Sequence, residues 1–271
     1  MNCRRAALWA LAETLQPATV RQIFYQATVH GIVEKTENGY DKVQAGLVQL
    51  RLDYSMSFDW LVDNSRWMRK PRSYDSLDQA PRITAQTYRR NLWVDTECYV
   101  EIWLEKDALS GVLYDITAEF DVPLMVARGY SSLTFLKQSA DYIAREDKPT
   151  FIYHLGDWDP SGQNAADNIE SRLREFAPEL KIHFEKLAVT PEQIAEWDLP
   201  TRPTKASDSR SVTWTGGDSV ELDAIRPDLL RALVRSTIEQ HVDERQLEVI
   251  RTAEASEREL LRSWKPNGAA P

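Results

Sequence analysis

Apolar residues recur every three to four positions through CRRAALWALAETL, ATVRQIFYQATVHG and YDKVQAGLVQLRLDY, a spacing that predicts three helices punctuated by Pro17 and Gly31. The stretch SFDWLVDNSRWMRK then places strand-forming residues on both sides of the turn-prone DNS and predicts a β-ribbon. Three helices and a ribbon follow the order of an α+β winged helix, expected here over residues 1–93. From residue 94 to 190 the period alternates. CYVEIWLE, VPLMVARG, PTFIYHLGD and KIHFEKLAV read as strands, separated by the helical patterns KDALSGVLYDITAEF, SSLTFLKQSADYIARE and DPSGQNAADNIESRLREF. Such alternation predicts right-handed βαβ units, a mostly parallel sheet with flanking helices, and ligands at the carboxyl ends of the strands.

Beyond residue 190 the pattern dissolves into TPEQIAEWDLPTRPTKASDSRSVTWTGGDS, which reads as a linker. The chain ends, over 191–271, in a charged helical extension whose apolar face is Leu229, Leu230, Leu233, Val234 and Ile238.

Composition narrows the setting. At 271 residues with 42% hydrophobic and 28% charged positions, the sequence has the make-up of a globular protein large enough for two domains. Arg4 and Arg5 before an apolar run mimic a signal peptide, but Glu13 interrupts the run and no small-residue cleavage site follows. No stretch is long enough to span a membrane, so no membrane association is expected. Cys3 and Cys98 lack disulfide or zinc spacing, as expected of a cytoplasmic protein. The net charge of -9 is unevenly spread: residues 1–93 hold 13 Lys/Arg against 9 Asp/Glu, leaving 20 against 33 for the rest. A mildly basic front and an acidic back are compatible with DNA held by one and metal ions by the other.

The candidate chemistry lies at strand ends. Glu105 closes the first strand of the α/β region, and Asp157 and Asp159 follow the third in HLGDWDPSG. An Asp before Pro160 is a standard N-cap with proline at N1, which accounts for Asp159 and leaves Asp157 over. Carboxylates converging at the ends of neighbouring parallel strands would suit Mg²⁺, which takes oxygen ligands and keeps waters and phosphates in its shell. His30, His154, His183 and His241 have no metal-binding spacing, and His154 reads as a core residue. No P-loop, G-x-G-x-x-G or HExxH is present.

A strand ending in Glu, as in VEIWLEKDA, with a later strand ending in Asp-x-Asp, as in YHLGDWDPSG, resembles the Toprim domain of topoisomerases, primases and some nucleases. With RQIFYQ upstream, RGYSS after the second strand and the tail block KASDSR...ELDAI, the chain is similar to the topoisomerase VI A-subunit and meiotic double-strand-break superfamily, bacterial and phage members in particular. The resemblance covers residues 17–190, with an echo at 203–225. It implies a catalytic Tyr25 assisted by Arg21, and Mg²⁺ or Mn²⁺ held by Glu105, Asp157 and Asp159, with Glu105 also available for acid/base work. It implies a homodimer in which one protomer's tyrosine works with the other's metal site, double-stranded DNA as substrate, a separately encoded ATPase B-like subunit as partner, and a nucleoid-associated location. Tyr40, Tyr54 and Tyr88 lack an arginine four residues before them. Phe24 stands where the family often has a second tyrosine, and the chain carries no ATPase domain.

DNA contacts are expected from Arg51 on the third helix and from Arg66, Arg69, Lys70 and Arg72 in SRWMRKPR. Three functions fit these residues: cleavage through a 5′-phosphotyrosyl link, hydrolysis by metal-activated water, or DNA binding without cleavage.

Overall fold

The computed structural model describes residues 3–62, 71, 73–204, 211 and 214–264. The three expected front helices are α1 (Cys3–Leu15), α2 (Val20–Val29) and α3 (Glu37–Leu52). Helix α2 starts in a capping box: the Thr19 hydroxyl accepts from the Gln22 N–H, and the Gln22 side chain accepts from the Thr19 N–H at 3.0 Å. Leu8, Ala12, Ile23, Ala27, Val43, Leu47 and Leu50 close a shared core between the three helices.

The β-ribbon differs from expectation among the described residues. Phe58–Trp60 is a single 3-10 turn, and Leu61 pairs in parallel with Ala18, in the turn between α1 and α2. Residues 63–70 lie outside the described residues. Helix α4 (Gln79–Thr87), which the hydrophobic pattern does not mark, leads to the sheet.

The sheet has four parallel strands, β1 (Tyr99–Leu104), β2 (Leu124–Val126), β3 (Thr150–Leu155) and β4 (Ile182–Ala188), in the order β2-β1-β3-β4. The connecting helices are α5 (Ser110–Glu119), α6 (Leu133–Glu146) and α7 (Pro160–Phe176). Right-handed crossovers and the reversal after β2 put α5 on one face and the paired α6 and α7 on the other. Strand β1 is buried along its whole length, as a central parallel strand should be. The chain moves outward in opposite directions from β1 and β3, so the crevice at their carboxyl ends is the topological switch point of the sheet.

After β4 come α8 (Pro191–Glu196), α9 (Pro227–Glu239) and α10 (Glu244–Ser263). Helix α9 packs on α5 with Leu230, Val234 and Ile238 buried and Leu229 and Leu233 partly buried, the face expected from the pattern. The stretch read as linker is ordered where described. Val220 and Trp158 exchange backbone hydrogen bonds at 2.8 and 3.0 Å, and Arg202 pairs with Ser219. This strap crosses the end of β3. No helix among the described residues is long and apolar enough to cross a membrane.

Candidate functional site

Glu105 follows β1 and Asp157 follows β3, because the parallel register Leu104↔Leu155 ends both strands at the same level. Glu105 Oε2 accepts the Asp157 N–H at 3.0 Å. Two glycines make room for that carboxylate: a Cβ on Gly156 would lie 2.7 Å from Glu105 Oε2, and one on Gly162 would lie 3.2 Å from it. Burial, followed by the nearby Asp157 charge, pushes the Glu105 carboxyl up to about 7. Asp157, itself buried, accepts the Leu222 N–H on Oδ1 at 2.7 Å and pairs there with Lys106 Nζ at 2.9 Å. Burial raises its proton affinity, and Lys106 opposes that rise.

Asp159 is the N-cap of α7: its Oδ1 accepts the Gly162 N–H at 2.8 Å, and Pro160 sits in the first turn. Its other oxygen is 4.0 Å from Arg202. The three acids thus share one end of the sheet while their oxygens serve different partners. Among the described residues no group of three or more His, Cys, Asp or Glu side chains converges as a metal-ligand set. Glu105 and Asp157 are the pair that fits a divalent cation, since they are adjacent hard oxygen donors and the protein leaves their mutual repulsion incompletely compensated.

The strap brings two further acids, Glu221 and Asp223, both buried. Lys106 Nζ lies 2.7 Å from Asp223 and 3.5 Å from Glu221 in addition to its contact with Asp157. Burial alone would lower its pKa, and the three carboxylates outweigh burial and raise it, so Lys106 stays an ammonium. Arg21 of α2 reaches the same acids, at 2.5 Å from Glu221 and 3.9 Å from Asp223. Arg202 adds a third cation at 3.2 Å from Glu221. Burial disfavours the Glu221 carboxylate, but Lys106, Arg21 and Arg202 together hold its carboxyl below the ordinary range.

Tyr25 is one turn after Arg21 on α2, and the charges of Glu221 and Arg21 both act on its hydroxyl. Burial, reinforced by the Glu221 charge and opposed by Arg21, pushes the phenol up to about 12. The ring is only 4% exposed, yet it lines a cavity of about 560 Å³ with Arg21, Phe24, Lys35, Arg202 and Glu221. Tyr25 thus packs into the core and borders a cavity at the same time. A neighbouring cavity of about 550 Å³ is lined by Arg21, Tyr40, Arg51, Lys106 and Asp223, among others. Arg51 stacks over Phe58 there, 5.7 Å from its ring centre. Arg66, Arg69, Lys70 and Arg72 lie outside the described residues.

His154 is a core residue, as expected: it stacks on Phe184, and burial lowers its pKa to about 4, so the ring is neutral. Lys106, Arg202, Glu221 and Asp223 carry roles that sequence reasoning did not assign. Lys106 directly follows Glu105 in EKDALSGVL, and Glu221 and Asp223 stand in ELDAI, so the signal was position within these blocks rather than spacing. No protein-family profile matches this chain, and no curated protein sequence matches it.

Proposed function

We propose that this chain cleaves double-stranded DNA with Tyr25 as nucleophile, forming a 5′-phosphotyrosyl link in the manner of a type IIB topoisomerase A subunit. The sheet then serves as a Toprim-like domain, and the helices α1–α3 with the Ala18–Leu61 bridge as a winged-helix-like DNA-binding unit. The observation that carries this reading is the convergence of α2 on the switch point: Arg21 pairs with Glu221, Tyr25 lines the same cavity as both, and Glu221 shares Lys106 with Asp157.

A phenol is a poor nucleophile at neutral pH and needs help to lose its proton and to meet an anionic phosphate. Arg21, Lys35 and Arg202 line the cavity that Tyr25 faces and supply cations for the phosphate oxygens. Glu105 and Asp157 would hold Mg²⁺ or Mn²⁺, with Asp159 at the rim. What such an ion supplies when bound is polarisation of the phosphate and stabilisation of the leaving 3′ oxygen. Lys106 holds Asp157 in place at 2.9 Å and opposes the rise in its proton affinity.

A second reading, hydrolysis by metal-activated water, is favoured by one specific observation. Tyr25 is nearly buried and strongly protonated, whereas Glu105 titrates at about 7, where a general base works best.

The deciding experiment incubates supercoiled plasmid and Mg²⁺ or Mn²⁺ with wild-type protein, Tyr25→Phe and Asp157→Ala, and resolves the products in denaturing gels with and without protease. Broken DNA bound to protein, absent from both variants, is the expected result. Cleavage that persists in Tyr25→Phe transfers the assignment to the water mechanism. Retention of DNA without breakage by the wild type leaves a binding protein.

A further inference from the structure

We propose that the large cavity at the amino end of β1 and β2 binds an organic cation, a flexible aliphatic amine with two or more ammonium groups. The cavity lies at the opposite end of the sheet from the switch point. Tyr99, which opens β1, lines it, whereas Glu105 follows the last residue of that strand, about 20 Å away by strand rise alone. Amine binding there is independent of DNA cleavage.

At about 810 Å³ the cavity has the size of a small-molecule site. Residues of α4, α5, α6 and α10 line it together with the starts of β1 and β2. Its charge selects a cation. Four carboxylates and two guanidiniums line the walls, and both guanidiniums are already paired, Arg251 with Glu119 at 2.8 Å and Arg89 with Glu254 at 3.5 Å. Asp115, Asp121 and Glu146 have no ion-pair partner among the described residues. Burial, with the Glu146 charge added, raises the proton affinity of Tyr99, Glu101 and Asp121, so the unbalanced negative potential is felt by its neighbours.

Aromatic surface and an unmet hydrogen bond narrow the class further. Tyr99 and Tyr142 pack with ring centres 6.1 Å apart, and Tyr142 and Tyr114 are 46% and 61% exposed, which leaves ring surface for a ligand. Aromatic rings attract an ammonium that has shed part of its water. The Tyr99 side chain is buried, and its hydroxyl has no hydrogen-bond partner among the described residues. An ammonium N–H is a donor that this oxygen lacks. Val122, Pro123 and Leu124 line the same cavity and suit methylene groups. A hard, hydrated metal ion would use neither the rings nor the apolar residues. Three separate unpaired carboxylates call for more than one positive charge on the ligand.

The test uses the full chain with spermidine, 1,5-diaminopentane, neutral 1,5-pentanediol and Mg²⁺ as probes. Affinity is read by titration calorimetry at an ionic strength of about 0.15 M, which screens general attraction to a chain of net charge -9. The site is located by NMR of ring-¹³C tyrosine, assigned with Tyr99→Phe and Tyr142→Leu. Spermidine is expected to bind and to shift the Tyr99 and Tyr142 resonances, diaminopentane to bind more weakly, and pentanediol not to bind. Glu146→Gln and Tyr142→Leu should each weaken spermidine roughly two- to fivefold. Glu179→Gln, exposed before β4 at the other edge of the sheet, should change nothing. Tyr99→Phe should weaken binding while leaving the fold at least as stable by urea denaturation, because it deletes a buried hydroxyl without a partner. Spermidine binding that Glu146→Gln, Tyr142→Leu and Tyr99→Phe all leave unchanged overturns the proposal, as does Mg²⁺ that matches it at the same tyrosines. Absence of binding overturns it too, and tighter binding of a blocked dilysine peptide would give the cavity to a protein partner instead.

Discussion

Glu101 lies in the middle of β1, fully buried, with the indole N–H of Trp103 donating to its Oε2 at 2.7 Å. Burial outweighs that hydrogen bond and pushes its carboxyl from an ordinary 4.5 up to about 7. Between those two pH values the folded chain binds more protons than the unfolded chain, so stability falls as pH rises. The contribution of the neutral acid is complete below about 4.5 and is lost as pH climbs through about 7. Glu101→Gln keeps an acceptor for Trp103 and removes the titration. Its stability advantage over wild type should widen between pH 5 and pH 8 by as much as about 3 kcal/mol, measured by urea denaturation at each pH. An advantage that does not change with pH sinks the explanation. Glu105 is raised in the same direction, but its neighbour is Asp157 rather than a hydrophobic interior alone. Of two acids on one strand pushed to similar values, only the one at the strand's carboxyl end faces the switch point, and position separates structural from functional perturbation.

Helix α7 starts on a residue, Asp159, that caps it and is also a candidate site acid. Asp159 accepts the Gly162 N–H at the start of α7 and also approaches Arg202. Asp159→Ala should cost about 1 kcal/mol through the lost cap, whereas Asp159→Asn, which still caps, should stay within a few tenths of wild type. If the negative charge serves the site, Asp159→Asn nevertheless loses DNA cleavage at full stability, and the two variants compared by denaturation and plasmid assay separate the roles. Equal stability of both variants would show that the cap does not matter. Elements of this kind were legible from sequence because their signals are local: Asp-Pro before an amphipathic run and apolar strands bounded by turns. Within the described residues, the first limb of the ribbon expected over 57–70 is a 3-10 turn instead of a strand, because Trp60 packs against Trp9 of α1 at 5.5 Å. The strap escaped notice for a related reason. Its Pro-, Ser- and Gly-rich composition is that of a linker, and its order comes from backbone pairing with Trp158 some sixty residues earlier and from the indole of Trp158 donating to the Gly216 carbonyl. Glu221 and Asp223 inherit their positions from that non-local pairing, so no spacing rule reaches them.

Across the whole molecule, the front helices are fastened to the sheet region by polar clamps rather than by strands. Arg231 of α9 donates to the Pro17 carbonyl at 2.8 Å and reaches those of Leu15 and Gln16, while Lys35 donates to the carbonyls of Pro200 and Thr201. With Arg21 on Glu221, these contacts hold Tyr25 beside the strap of its own chain. The superfamily resemblance implies the opposite arrangement, a tyrosine from one protomer working on the metal site of another. Mixing two inactive variants distinguishes them. On the proposed mechanism Tyr25→Phe lacks the nucleophile and Asp157→Ala lacks a metal-site acid, so if each chain holds a complete site, no pairing of the two rebuilds one. If the sites are shared, random exchange makes half of the dimers mixed, each with one intact composite site, and about a quarter of wild-type sites return. Because Tyr25 lines one cavity with Arg21 and with Glu221 of its own strap, the expected outcome is no covalent adduct above that of either variant alone. Recovery approaching a quarter of the wild-type adduct, after exchange has been verified with differently sized chains, would show that DNA binding pulls Tyr25 away from its own strap and across to a partner.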